Sequence, residues 1–203
     1  MNDELLPRRI ERIRQVAAQR LAGLTVALEH VHDPHNVSAV LRSAEGFGLS
    51  AVHVIWPEGR LELNKAVTQG CHKWLDVRRY RDSLSCLEPL RAAGFRLCGA
   101  DPKEGAKDLR DLDFSKPTAL IFGSEHHGLS PQARELCDDA FAIRMRGFSQ
   151  SFNISVAAAI CLFWGAERRR EALGRASDLT EAEIEALQQA WIERELASKR
   201  RET

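Results

Sequence analysis

Three short segments concentrate side chains able to hold and charge-stabilise a reacting group. The first is His35-Asn36-Val37-Ser38-Ala39-Val40-Leu41-Arg42 and the second Phe122-Gly123-Ser124-Glu125-His126-His127-Gly128-Leu129-Ser130. The third is Gly147-Phe148-Ser149-Gln150-Ser151-Phe152-Asn153-Ile154-Ser155. Amides and hydroxyls orient a substrate, a carboxylate fixes partner groups, and a guanidinium grips phosphate through its planar fork. Each residue also has a structural reading. Asn36 suits a helix cap, Arg42 a solvated helix face, and Ser151 and Asn153 caps of the following helix. Glu125 suits a helix amino-terminal dipole, and Gly123 and Gly128 suit positive φ in a tight strand-to-helix turn. His126 and His127 are adjacent and lack a third ligand at metal spacing, so no metal site is expected. There is no Gly-x-Gly-x-x-Gly and no phosphate-loop motif, which argues against an ordinary dinucleotide or nucleoside-triphosphate site.

The elements that must carry these segments follow from periodicity. Apolar runs at residues 24–28, 51–56, 95–100 and 118–122 alternate with helix-period stretches near 36–48, 84–93 and 130–136, the pattern of an open, mostly parallel α/β sheet. All three polar segments then fall at carboxyl ends of strands, where ligands bind in such sheets. Residues 5–21 place Arg8, Arg9, Arg12, Arg14 and Arg20 among Ile10, Ile13 and Val16, predicting a helix with an arginine-rich polar side. A small-residue helix is expected over 154–164, running into residues 167–170. Ser177-Asp178 followed by Glu181 predicts the capped start of an amphipathic helix over 179–197.

The 203 residues are 44% apolar, enough for one main core with appended segments. Lys plus Arg equals Asp plus Glu at 29 each, so global charge makes no case for a polyanionic partner and local clusters must make it. Five widely spaced cysteines without a Cys-x-x-Cys pair point to reduced core thiols and a cytoplasmic setting. No stretch approaches the roughly 18 to 20 apolar residues of a membrane span, so no membrane partner is expected.

Taken in order, residues 36–42, 120–128 and 143–159 resemble the three motifs of the SpoU branch of the SPOUT RNA 2′-O-methyltransferases. The flanking basic helix, the Gly70-Cys71-His72-Lys73-Trp74 segment and the C-terminal helix extend the resemblance toward the tRNA guanosine-18 enzymes of that branch. The resemblance implies an α/β fold whose C-terminal part forms a deep trefoil knot, a homodimer with the site completed across its interface, and S-adenosyl-L-methionine as cofactor. It implies 2′-O-methylation of a tRNA ribose, guanosine 18 of the D loop. The alternatives are a ribosomal or anticodon-loop substrate, or a non-catalytic RNA-binding relative. By position, Asn36, Arg42, Glu125, Ser151 and Asn153 correspond to the functional polar residues, and Ala100, Gly123, Ile143 and Phe152 to cofactor contacts. Two departures stand out: Ile143-Arg144-Met145 where relatives carry Ile-Pro-Met, and Ser151-Phe152-Asn153 where they carry Ser-Leu-Asn.

The resemblance also implies how the residues act. It gives Arg42 as the proposed base; because arginine is essentially always protonated in proteins, Arg42 is assigned to phosphate and ribose contact with electrostatic stabilisation of the developing alkoxide, and the base role stays as the alternative. For RNA capture the candidates are Arg8, Arg9, Arg12 and Arg14, then Lys73 with Arg78, Arg79 and Arg81, then Arg168, Arg169, Arg170 and Arg175. The expected division is a basic extension over 1–22, a methyltransferase domain over 23–166 and a helical extension over 167–203.

Overall fold

The computed structural model describes residues 5–56 and 63–202; residues 1–4 of the expected basic extension lie outside them. Seven strands form one sheet in the order β3-β2-β1-β6-β4-β7-β5. They are β1 (Leu24–Glu29), β2 (Ala51–Ile55), β3 (Asp76–Tyr80), β4 (Arg96–Ala100), β5 (Lys107–Asp108), β6 (Thr118–Phe122) and β7 (Asp139–Ala142), and every pairing is parallel. The central pair, β1 and β6, is buried along its whole length, which is why both are predominantly apolar. The expected strands are all present. β3 and β5 were not expected, because Asp76-Val77-Arg78-Arg79-Tyr80 is a half-exposed edge strand and Lys107-Asp108 is only two residues long.

Side chains alternate across the sheet and so build two cores. Val26, Leu28, Leu120 and Phe122 face one core with helices α2 (Pro34–Gly46) and α6 (Ile154–Leu173). Ala27, Ala119 and Ile121 face the other, with α4 (Ser83–Ala92) and α5 (Pro131–Leu136). A short helix, α3 (Lys65–Thr68), lies beside α2. The terminal helices α1 (Pro7–Ala17) and α7 (Glu181–Glu202) pack together through Leu5, Ile13, Ala17 and Trp191.

Three residues take roles other than those expected from sequence. Asn36 is not the cap of α2: Asp33 is, accepting from the His35 N–H at 2.8 Å, with Pro34 opening the helix and Asn36 released for other partners. Arg20 is not on a polar face but fully buried beyond the end of α1, donating to the carbonyls of Glu45 and Leu49 and to the Glu45 carboxylate while lying over the Trp191 ring. The box that starts α7 is Thr180 with Glu183, each accepting from the other's backbone N–H. Asp178 instead takes the N–H groups of Ala22 and Gly23 and pairs with the buried Arg169, tying the C-terminal segment to the entrance of β1.

All five cysteines are free. Burial pushes the thiols of Cys86, Cys98, Cys137 and Cys161 up to about 12, so they remain unreactive core groups. Among the described residues no helix is long and apolar enough to cross a membrane, and no group of three or more His, Cys, Asp or Glu could hold a metal ion.

Candidate active site

The carboxyl ends of β1, β6 and β7 bring the three polar segments together. Asn36, in the first turn of α2, donates its amide N–H to Glu125 Oε1 at 2.9 Å and accepts on Oδ1 from the Asn153 amide at 3.2 Å. Asn153 in turn caps α6, its Oδ1 accepting from the Ser155 N–H at 2.9 Å and from Ser155 Oγ at 2.6 Å. One amide therefore joins all three segments, although 89 and 117 residues separate it from its two partners. Both readings of Asn153 hold at once: it is a helix cap and a member of the network.

Beside this network lies a cavity of about 580 Å³, lined by Ala100, Gly123, Ile143, Phe152 and also by Glu125, Ser151 and Asn153. Its walls are mainly apolar, with polar groups along one side, and its size falls within the range of about 300 to 1,000 Å³ usual for small-molecule sites. Gly123 has a physical reason to lack a side chain, but not the one expected from sequence. Its φ is not positive; a Cβ there would lie 2.1 Å from the Gly128 carbonyl. Gly128 does adopt positive φ, at 65°, and the Ser124 to Gly128 turn closes through paired backbone bonds of 3.0 and 2.9 Å. Arg144 turns away from the cavity and sits 3.4 Å from Asp108, so the unusual charge before the third segment does not enter the pocket. Asp108 is held well below the usual carboxylate range by its hydrogen bonds from Arg110, with Arg144 adding to the effect.

Arg42 stands apart. Six residues beyond Asn36 on a helix mean about 9 Å of rise and a rotation of about 240°, which puts the two side chains on different faces. That spacing was readable in the sequence. Arg42 lines a second cleft of about 260 Å³ with Arg9, Arg12, Trp74 and Trp191, so the N-terminal helix and the guanidinium of the first segment share one basic, aromatic hollow. Arg8, Arg12, Arg14 and Lys73 are exposed. Arg9 lies over Trp74 and pairs with Glu195 at 2.9 Å. Arg168 lies over Trp164 and pairs with Glu171, remaining half exposed. Arg169 and Arg170 are no longer candidates for phosphate binding. The first is buried against Asp178, and the second donates to the carbonyls of Gln19, Phe47 and Ala176.

Comparison with known proteins gives concordant matches. The SpoU rRNA Methylase family model matches residues 23–163. A tRNA (guanosine(18)-2′-O)-methyltransferase of Thermus thermophilus is 40% identical over 164 residues, covering 81% of this chain and 84% of the relative. The Aquifex aeolicus tRNA (guanosine(18)-2′-O)-methyltransferase is 32% identical over 98% of this chain and 95% of its own length. A crystal structure of the A. aeolicus TrmH/SpoU tRNA modifying enzyme superposes with a TM-score of 0.85 at 30% identity, over 93% of this chain and 96% of that one. The SpoU methyltransferase AviRb from Streptomyces viridochromogenes, solved in complex with the cofactor AdoMet, gives 0.63 at 30% identity over 75% and 58% of the two chains.

Proposed function

This chain belongs to the SpoU methylase family, and from that premise we propose that it transfers a methyl group from S-adenosylmethionine to the ribose 2′-oxygen of guanosine 18 in tRNA. The observation that carries the reading is the Glu125-Asn36-Asn153 network at the rim of the 580 Å³ cavity. The tRNA substrate is favoured over a ribosomal one by the full-length match. The match spans 98% of this chain and 95% of the A. aeolicus relative, whereas the chain covers only 59% of the rRNA methyltransferase from Sinorhizobium meliloti.

The cavity suits the cofactor. Ala100, Ile143 and Phe152 offer an apolar slot for an adenine ring, and Gly123 leaves the backbone bare where a side chain would collide with the opposite strand of the turn. S-adenosylmethionine supplies an electrophilic methyl when bound. The chain's residues then have to place a hydroxyl in line with it and tolerate the charge that develops on the oxygen. Asn36 and Asn153 hold the rim, and Glu125 fixes the orientation of Asn36. Ser151 stands on the wall of the same cavity. Arg42 brings the fixed positive charge, contacting the ribose oxygen and the adjoining phosphate.

Within one chain Arg42 opens on the other cleft, so a second copy must deliver it. We assign the homodimer interface to α6, whose Val156 and Phe163 are 46% and 52% exposed, with Phe152 exposed at its start. α6 follows β7 yet packs on α2 and β1, the return path that a C-terminal trefoil knot requires. A tRNA substrate also implies a cytoplasmic enzyme. The division into a core over 23–166 and terminal extensions for RNA follows from the same assignment. Mapping ribose methylation on a tRNA transcript incubated with the chain and labelled cofactor tests the function, and sedimentation at micromolar concentration tests the dimer. Methylation elsewhere than guanosine 18, or a fully active monomer, would overturn the respective reading.

A further inference from the structure

On the far side of the Ser124 to Gly128 turn lies a third cavity, of about 410 Å³, that the cofactor reading leaves unused. Its walls are His30, His32, Trp56 and His127, and it shares Ser124 and Gly128 with the cofactor cavity, so the two hollows are separated by one turn of chain. We propose that this recess receives the guanine base of the nucleotide whose ribose is methylated, with Trp56 as the stacking wall and the imidazoles reading the base edge. This role for the recess rests on the proposed methyl transfer to guanosine 18 and supplies its specificity determinants.

The chemistry of the walls points to a nucleobase. Three imidazoles each present a ring N–H and a ring nitrogen acceptor at neutral charge, a set that matches the mixed acceptors and donors on the edges of guanine. The carboxylate bonded to the recess wall at Ser130 is already spent. Glu29 is fully buried and accepts from Ser83 Oγ, from the Ser130 N–H at 2.9 Å and from Ser130 Oγ at 2.6 Å. Ser130 is thereby locked, its Oγ also accepting from the Ala133 N–H at 3.1 Å, and the histidines remain as the readers. Trp56 is held from behind: its backbone N–H donates to the Tyr80 carbonyl at 2.9 Å, and the Arg79 guanidinium donates to the Trp56 carbonyl.

His30 adds a conformational sign. It leaves β1 with φ of 52°, a left-handed backbone that a non-glycine residue adopts at a cost, while its N–H still bonds the Ile55 carbonyl at 3.2 Å. That kink ends the strand and turns the imidazole into the recess instead of leaving it on a sheet face. Enzymes that act on a nucleotide held in a folded RNA extract it and stack its base on aromatic side chains. A base lodged here has its ribose at the shared turn, next to the cofactor cavity.

The test uses the full chain and tRNA transcripts carrying guanosine, inosine or 7-deazaguanosine at position 18. Wild type should prefer guanosine over both analogues in kcat/KM. Trp56→Ala should lower kcat/KM roughly 10- to 100-fold, the scale of one lost base stack, with cofactor affinity by calorimetry unchanged and Trp56→Phe restoring most of the loss. His30→Ala and His127→Ala should narrow the discrimination against at least one analogue, a change that a merely structural role would not produce. If Trp56→Ala and both histidine variants fold, bind cofactor and keep wild-type rate and discrimination, the recess is not the base site. If wild type methylates guanosine 18 but treats all three nucleotides alike, base reading is overturned while the functional reading stands. If wild type methylates no guanosine 18, the functional reading fails and takes this inference with it.

Discussion

Two neighbouring sets of arginines use the same side chain in opposite ways. At the amino ends of the strands, Arg20 and Arg169 are buried and each donates to several oxygens, including the carboxylates of Glu45 and Asp178. Burial pulls the Arg20 guanidinium below its ordinary value, with Glu45 opposing the shift. Along α2 and α1, Arg42 and Arg12 are exposed around a cleft, and among the described residues neither has an ion-pair partner. A buried guanidinium bonded to several chain oxygens holds the chain together, even though the Arg20 Nε–H has no partner; one held at a cleft with donors to spare can meet a phosphate. Residue type in the sequence does not separate the two cases, but the oxygens around each guanidinium do.

The largest effect expected from this contrast lies with the buried arginines. Arg169→Ala leaves Asp178 as a desolvated, unpaired carboxylate and should cost about 3 to 5 kcal/mol in denaturant unfolding. Less than about 1 kcal/mol would mean that Asp178 is satisfied by the backbone N–H groups of Ala22 and Gly23 alone. At the exposed arginines the signs reverse. Arg42→Ala should lower methyl transfer at least about 100-fold, about 2.7 kcal/mol of barrier, with the unfolding midpoint unmoved. Arg42→Lys should fare nearly as badly, since an ammonium lacks the planar fork. Steady-state turnover beside a melt checks both, and a stability loss in Arg42→Ala would erase the distinction.

Histidine offers the same comparison at smaller amplitude. His53 is 2% exposed on β2, its Nδ1 lies 3.0 Å from the Tyr80 hydroxyl, and burial, with Arg78 nearby, lowers its pKa to about 4. His32 and His127 are exposed. Above pH 6.5 the His53 ring is neutral in both folded and unfolded chains and its titration costs nothing. As pH falls below 6.5 the unfolded chain takes up a proton that the folded chain refuses until about pH 4. Stability should therefore drop by about 2 kcal/mol between pH 7 and pH 5 from this residue alone. His53→Gln should flatten that part of the profile. A slope equal to that of the wild type would show that His53 is not the group responsible.

Most of the sheet was legible because buried parallel strands are predominantly apolar, as at 24–28 and 118–122, and α1 and α2 carry a 3.6-residue apolar stripe. What escaped were elements whose signal lies in partners rather than pattern. β3 is an edge strand with three exposed residues out of five, and its pairing with β2 cannot be seen in Asp76-Val77-Arg78-Arg79-Tyr80 itself. Asn36 read as a cap because the true cap, Asp33, precedes a proline and looked like loop. In the candidate site the motif residues were legible through resemblance, yet which of them touch was not. The Asn36 amide meets Glu125 and Asn153 only after the sheet has folded. Arg20 and Arg169 were indistinguishable from solvent-facing arginines, since burial of a guanidinium depends on remote oxygens.

The smallest expected effect on the fold, and the sharpest test of the exposed arginines, concerns α1. Arg8, Arg12 and Arg14 are exposed while Ile13 and Ala17 of the same helix are buried against α7, so truncating the helix would remove core and charge together, and deletion through Arg20 would also remove a buried guanidinium. Substituting Arg8, Arg12 and Arg14 with Gln removes charge and leaves the apolar face. If these residues meet successive phosphates, as their spacing within two helical turns allows, tRNA affinity should fall and the slope of log K against log salt should flatten by roughly 0.7 to 0.9 for each phosphate no longer neutralised. The cofactor cavity is built from none of these residues, so cofactor affinity should stay within about twofold, or ~0.4 kcal/mol. Titrations of tRNA at several salt concentrations, with calorimetry of the cofactor alongside, decide the matter. An unchanged slope would return Arg8, Arg12 and Arg14 to the class of solvated surface charges. A weakened cofactor would mean that α1 supports the core, and that the contrast between the buried and the exposed arginines does not divide the molecule where its clefts suggest.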